Sequence, residues 1–164
     1  LKQLGAGLAS SGMTTIFQYR EVSQKEKLET VVVEAKDMRD TIGNLSTSSE
    51  SPDLIFIGCP HCSLREIQRV SQALNGKKVK TGAELWVCTS SHVRQRAQKY
   101  VDVIEGAGGH VLCDTCALVT WVKDLGVHTL MTNSAKTAFY APTLNEVEVT
   151  LTPLNECVET ACKD

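Results

Sequence analysis

The chain carries seven cysteines: Cys59, Cys62, Cys88, Cys113, Cys116, Cys157 and Cys162. Four of them fall into two clusters, Cys59-Pro60-His61-Cys62 and Cys113-Asp114-Thr115-Cys116. A thiolate is both the nucleophile of disulfide exchange and a soft metal ligand, so cysteines in pairs point to redox or metal chemistry. An odd count without a basic-then-apolar leader makes a poor disulfide framework. A chain of 164 residues also buries enough apolar surface to fold without such staples.

Three readings of the pairs compete. The tetrapeptide Cys59-Pro60-His61-Cys62 is that of periplasmic disulfide oxidases, and at a helix N-terminus unpaired N–H groups would acidify its thiols. A thiol–disulfide oxidoreductase would use Cys59 and Cys62, and Cys116 would be dispensable. A zinc-stabilised interaction domain would use all four clustered cysteines, although structural zinc knuckles normally stand closer in sequence than these. The third reading takes one cysteine from each pair, with a further ligand from elsewhere, to hold an iron–sulfur cluster with one iron open to a substrate oxygen. Spacing alone does not select among them. Cys88, Cys157 and Cys162 read as small buried apolar residues.

The elements around these residues alternate. Asp53–Gly58 (DLIFIG) is a short apolar run of the kind buried on both faces of a parallel sheet. Ser63 fits a helix N-cap, and residues 64, 67, 70 and 74 carry apolar side chains at helical spacing. Glu84–Cys88, Val111–Cys113, His128–Thr132 and Val147–Leu151 read as further strands, with helices over His92–Glu105 and Leu154–Lys163. Upstream, Lys2–Ser11 and Ala35–Leu45 read as helices, Thr14–Tyr19 and the β-branched run Thr30–Glu34 as strands, and Ser46–Pro52 as a loop. The expectation is one α/β domain over residues 1–164, a parallel sheet with helices on both faces. In such a fold ligands gather at the carboxyl ends of strands, where both cysteine pairs and Asn133-Ser134-Ala135-Lys136 are placed.

Composition narrows the function further. Lys+Arg 17 against Asp+Glu 19 gives a formal charge of −2, which argues against nucleic-acid or membrane-surface binding. No apolar run approaches the roughly 20 residues needed to span a bilayer, and a cytoplasmic location is expected. The chain begins at Leu1 rather than Met, as a piece of a longer protein would.

Four segments in order, Leu1–Gly12 (LKQLGAGLASSG), Asp53–Leu64 (DLIFIGCPHCSL), Asp114-Thr115-Cys116 and Thr132–Pro142 (TNSAKTAFYAP), resemble the aconitase X family. The resemblance runs the length of the chain and corresponds to the C-terminal part of the large, catalytic subunit. It implies an aconitase-like α/β domain and a hydro-lyase, in which an iron–sulfur cluster, most simply 4Fe-4S, acts as a Lewis acid on a substrate hydroxyl. It further implies Cys59 and Cys116 as cluster ligands, with the third in the N-terminal part of the large subunit. Lys136 is implied in binding the substrate's anionic group. Ser134 is implied either as a hydrogen-bonding neighbour in that site or as a helix N-cap.

His61 is placed beside the metal site, orienting the turn rather than moving protons, and Tyr140 reads as packing. No catalytic acid or base is assigned within the chain; the family places the base on a partner small subunit, the swivel domain. The implied substrate is a small hydroxy acid: (R)-5-phosphomevalonate, because the cysteine of Gly-Cys-Pro-His resembles the archaeal members, or else cis-3-hydroxy-L-proline. The isolated chain is expected to be inactive. One stretch departs from the family, which commonly continues after Phe17 with His, Gly and Thr-Pro where this chain has Gln18–Gln24.

Overall fold

The apolar run after Asp53 forms the middle of the sheet. In the computed structural model, which describes residues 1–21, 23 and 27–163, β1 (Leu54–Cys62) lies between β2 (Glu84–Thr89) and β4 (Thr129–Thr132). The edges are β3 (His110–Cys113) and β5 (Glu148–Leu151), and every pairing is parallel, in the order β3-β2-β1-β4-β5. A parallel strand covered on both faces must be apolar at each position. Leu54, Ile55, Phe56 and Ile57 are 0–1% exposed.

Alternation along β1 divides the core in two. Ile55 and Ile57 pack with Ile67, Val70, Val101 and Val158 from α3 (Leu64–Leu74), α5 (Gln98–Gly106) and α7 (Leu154–Cys162). Leu54 and Phe56 pack on the other face with Ala138 and Ala141 of α6 (Ala135–Leu144) and with the 3₁₀ turns Ala117–Val119 and Val122–Leu125. α1 (Lys2–Gly12) rests on α6 and the end of β1, and α2 (Ala35–Leu45) on β5 and α6. The helix expected over 92–105 is interrupted at Ala97, leaving α4 (Ser91–Arg96) as a separate turn before α5.

The connections set where a ligand can sit. From β1 the chain builds outward through α3 and β2 to β3, then returns across the sheet to β4 and builds outward the other way through α6 to β5. α3 and α6 therefore leave the adjacent strands β1 and β4 toward opposite faces. The crevice at those two carboxyl ends is the switch point where open α/β sheets bind ligands.

Two expected strands do not form. Thr14–Tyr19 and Thr30–Glu34 are irregular, with Ile16 84% and Val31 80% exposed. β-branched residues make a strand only where an edge is available to pair with. The β5 edge is occupied by the loop before β1: Thr47 N donates to Val149 O at 2.7 Å, and Val149 N donates to Thr47 Oγ1 at 2.8 Å. At the β3 edge the Arg94 guanidinium donates to Val111 O. Among the described residues no helix is long and apolar enough to cross a membrane.

Candidate active site

The site begins with a defect in β1. The regular pairing of β1 with β2 is broken between Ile57 and Cys62, and Gly58 takes φ +132°. A side chain there would put its Cβ 2.4 Å from Cys88 O and 2.8 Å from Cys88 N, so the main chains of β1 and β2 touch where only glycine fits. The irregularity reverses the alternation. Cys59 joins Leu54 and Phe56 in one half of the core, while Cys62 joins Ile55 and Ile57 in the other.

That separation corrects the reading of the tetrapeptide as a redox pair. Its cysteines face opposite sides of the sheet. The helix starts only at Leu64, and its N-terminus is already filled: Ser63 Oγ accepts from Glu66 N, and the Glu66 carboxylate accepts from Ser63 N at 2.8 Å. Burial, reinforced by the charge of Glu66, pushes the Cys62 thiol up to about 12, the reverse of the acidified thiol expected from the sequence. The four-cysteine zinc reading fails on the same geometry. Among the described residues no three His, Cys, Asp or Glu side chains gather as a metal-holding group.

The second cysteine loop leaves β3. Asp114 turns the chain with φ 56°, its N–H donating to Thr89 O at 2.9 Å. Its carboxylate accepts from the N–H and hydroxyl of Ser91, and the Ser91 hydroxyl foremost holds the carboxyl below its ordinary range. Thr120 Oγ1 donates to Cys116 O at 2.7 Å, so the carbonyl of the cysteine itself is pinned. His61 joins the two loops, with its Nε2 2.8 Å from Thr115 O. A carbonyl only accepts, so Nε2 carries the hydrogen.

Behind these loops Cys88 is fully buried, and burial first, then the neighbouring Cys116, Cys113 and Cys59, pushes its thiol up to about 12. Cys157 is also fully buried and Cys162 partly so, both away from the loops in the other half of the core.

The loops open on a cavity of about 370 Å³ bordered by Cys59, Cys116, Lys136, Tyr140, Ala9 and Ser10. Three sequence-distant segments thus place Cys59, Cys116 and Lys136 around one space. Lys136 lies half-buried in the first turn of α6 with no hydrogen-bond or ion-pair partner among the described residues. Ser134, by contrast, is fully buried, and its hydroxyl accepts from Thr137 N at 3.2 Å. It caps α6 and does not border the cavity, so the N-cap reading is the one the structure shows. His61 does not border the cavity; its ring ties the Cys59 turn to the Cys116 loop. Larger concavities lie elsewhere, one of about 650 Å³ between α3 and α7, but no cysteine lines it.

Sequence reasoning missed three contributors. α1 walls the cavity through Ala9 and Ser10, held there by Lys2, whose Nζ donates to His61 O at 2.8 Å and pairs with Glu66 at 2.5 Å. Tyr140 borders the cavity one turn after Lys136, a spacing of four that puts both on one helix face. Gly58 had its signal in a glycine directly before the first cysteine of the pair. Of the departing stretch Gln18–Gln24, Val22 and Gln24 lie outside the described residues, and none of the rest borders the cavity.

Residues 52–163 match the aconitase X third domain. The chain belongs to the aconitase X family. It is 44% identical over 151 residues to the phosphomevalonate dehydratase large subunit of Methanothermobacter thermautotrophicus, covering 87% of this chain and 37% of that protein. With the large subunit of the same name from Methanocaldococcus jannaschii it shares 37% over 169 residues, covering 97% and 41%. A cis-3-hydroxy-L-proline dehydratase of Pseudomonas aeruginosa is 29% identical over 177 residues, covering 98% and 30%.

The crystal structure of Thermococcus kodakaraensis aconitase X in its holo-form superposes with a TM-score of 0.81 at 29% identity, over 97% of this chain and 43% of that one. The five-stranded parallel sheet with helices on both faces is thus an aconitase X arrangement. The chain spans well under half the length of these large subunits, at 37% and 41% of the two methanogen proteins.

Proposed function

We propose that this chain is the third-domain portion of an aconitase X hydro-lyase large subunit, and that the cavity at the ends of β1, β3 and β4 is its share of the active site. The observation that carries the reading is the convergence of Cys59, Cys116 and Lys136 on one cavity at the switch point of the sheet.

The donor set fits part of an iron–sulfur site. Cys59 and Cys116 come from separate loops to one space, and thiolate sulfur is the ligand that iron–sulfur clusters use, as zinc and Cu(I) also do; the family match is what favours the cluster. Among the described residues no group of three possible metal ligands gathers, and the family resemblance implies a third ligand in the N-terminal part of the large subunit. Cys59 and Cys116 would hold the cluster, of 4Fe-4S type, which when bound supplies a Lewis-acidic iron for a substrate hydroxyl.

The rest falls to the protein. Lys136 receives the substrate's anionic group as a flexible point charge that no carboxylate of the described chain neutralises. His61 fixes the Cys59 turn against the Cys116 loop and, with its Nε2 hydrogen committed to Thr115 O, is not the base on that nitrogen. The proton is removed by a group on the partner small subunit, the swivel domain. The substrate is (R)-5-phosphomevalonate, the reading supported by the phosphomevalonate dehydratase large subunits that the chain matches at 44% and 37% identity; cis-3-hydroxy-L-proline follows from the Pseudomonas relative. Seven free cysteines suit the reducing cytoplasm.

Anaerobic iron reconstitution of the complete large subunit tests the ligand assignment. Cys59→Ala and Cys116→Ala should each abolish the cluster's visible absorbance, and Cys62→Ser should leave it near normal. Unchanged absorbance in either alanine variant would overturn the proposal.

A further inference from the structure

Lys136 occupies an unfavourable place for a cation. It lies in the first turn of α6, at the positive end of the helix dipole, half-buried and without a compensating ion pair among the described residues. A local rule broken with no structural return marks a position kept for a ligand, and the ligand that relieves it is an anion. One turn further, on the same face, Tyr140 borders the same cavity. Its hydroxyl has no hydrogen-bond partner among the described residues and is not closed off from solvent, so it is free to donate to a molecule in the cavity. Its ring sits against Phe139 edge to face, with centroids 5.1 Å apart and planes at 84°.

We infer that Tyr140 is a substrate-binding residue, its phenol hydroxyl donating to the same oxyanion that Lys136 neutralises. This rests on the cavity being the substrate site. Ammonium and phenol divide the work: the ammonium is a point charge with rotatable donors, whereas the phenol donor is fixed in direction by its ring. The pair recognises an oxyanion, whether carboxylate or phosphate, and Tyr140 sets its orientation.

The test uses the complete large subunit with its small subunit, comparing wild type with Tyr140→Phe, which keeps the ring and its packing. Inorganic phosphate and malonate are titrated calorimetrically in separate runs, with a thermal melt to confirm an unchanged fold. A hydrogen bond to a charged group is worth enough to weaken binding on the order of 10-fold or more, and the probe affected identifies the oxyanion. Wild type that binds neither probe, or a variant that binds both equally well, overturns the inference.

Turnover of 5-phosphomevalonate adds a separate arm. The inference expects KM to rise by a similar factor with kcat within about twofold. A fall in kcat at constant KM would assign the hydroxyl to chemistry and overturn the binding role. Wild type that binds the probes without dehydrating 5-phosphomevalonate or cis-3-hydroxyproline removes the dehydratase reading and leaves the Tyr140 result standing.

Discussion

The imidazole of His61 holds the carbonyl of Thr115 at 2.8 Å, across 54 residues of sequence, and so ties the turn that carries Cys59 to the loop that carries Cys116. Neither loop could fix the other through regular structure, because β1 and β3 are not neighbours in the sheet; β2 lies between them. The ends of the tie are themselves anchored. Lys2 grips the His61 carbonyl, and Asp114 grips the N-terminus of α4 through Ser91.

Removing that tie should loosen the two thiols without unfolding the chain. In the complete large subunit His61→Ala is expected to cost about 1 kcal/mol of stability for the lost bond. Iron affinity should fall by about 10- to 100-fold, as when partners of metal ligands are removed. Iron titration monitored by absorbance, alongside a thermal melt, separates the effects. Iron affinity equal to wild type would show that the histidine orients nothing of consequence.

Gly58→Ala should be far more damaging than its chemistry suggests. The new methyl would lie 2.4 Å from a main-chain oxygen, at a φ of +132° that L residues rarely adopt. The backbone conformation alone costs about 1–3 kcal/mol, and the clash adds to it. Gly76→Ala is the control: its φ is +78°, but nothing lies within 4 Å of the added carbon, so about 1 kcal/mol is expected. Urea midpoints that fall equally for both variants would refute the close approach of β1 to Cys88.

The same glycine shows where sequence reading ends. The middle of the sheet is legible because a parallel strand buried on both faces writes itself as an unbroken apolar run, and α3 because its apolar spacing and its Ser63 N-cap agree. The partition of the tetrapeptide is not legible. It depends on the main chain of Cys88, thirty residues away (88 − 58), pressing on Gly58 and reversing the alternation. Thr30–Glu34 misleads for a related reason: its residues suit a strand, but side chains already occupy both sheet edges. Lys136 stands out only through family resemblance, since a single lysine after a serine has no signature of its own.

Lys136→Ala should weaken substrate capture and leave the cluster untouched. In the complete enzyme KM for 5-phosphomevalonate is expected to rise by about 10- to 100-fold, the loss of a charge-assisted contact. Cluster absorbance should match wild type, because Lys136 is not a ligand. High salt should shrink the difference between wild type and variant by screening the ammonium. A normal KM, or loss of the cluster, would remove Lys136 from substrate binding.

Burial of thiols should make the fold sensitive to alkali. Cys62 and Cys157 are each pushed up from 9.0 to about 12, burial being the main cause in both. In the unfolded chain the same thiols ionise near 9, so between about pH 9 and 12 the unfolded state sheds protons that the folded state keeps. Stability is therefore fully present below about pH 9 and falls as pH rises toward 12. Each thiol contributes a slope of up to about 1.4 kcal/mol per pH unit. Against a typical total of about 5–15 kcal/mol, the two together remove at most about 8 kcal/mol by pH 12, enough to unfold a chain near the low end of that range. Urea midpoints measured at pH 8, 9 and 10 under reducing conditions should fall slightly over the first step and more steeply over the second. Cys157→Ala lowers stability at pH 8 by opening a small cavity, but it should also flatten the alkaline slope, and only that second effect isolates the thiol. An unchanged slope in the variant would mean that Cys157 ionises in the folded state as readily as in the unfolded one.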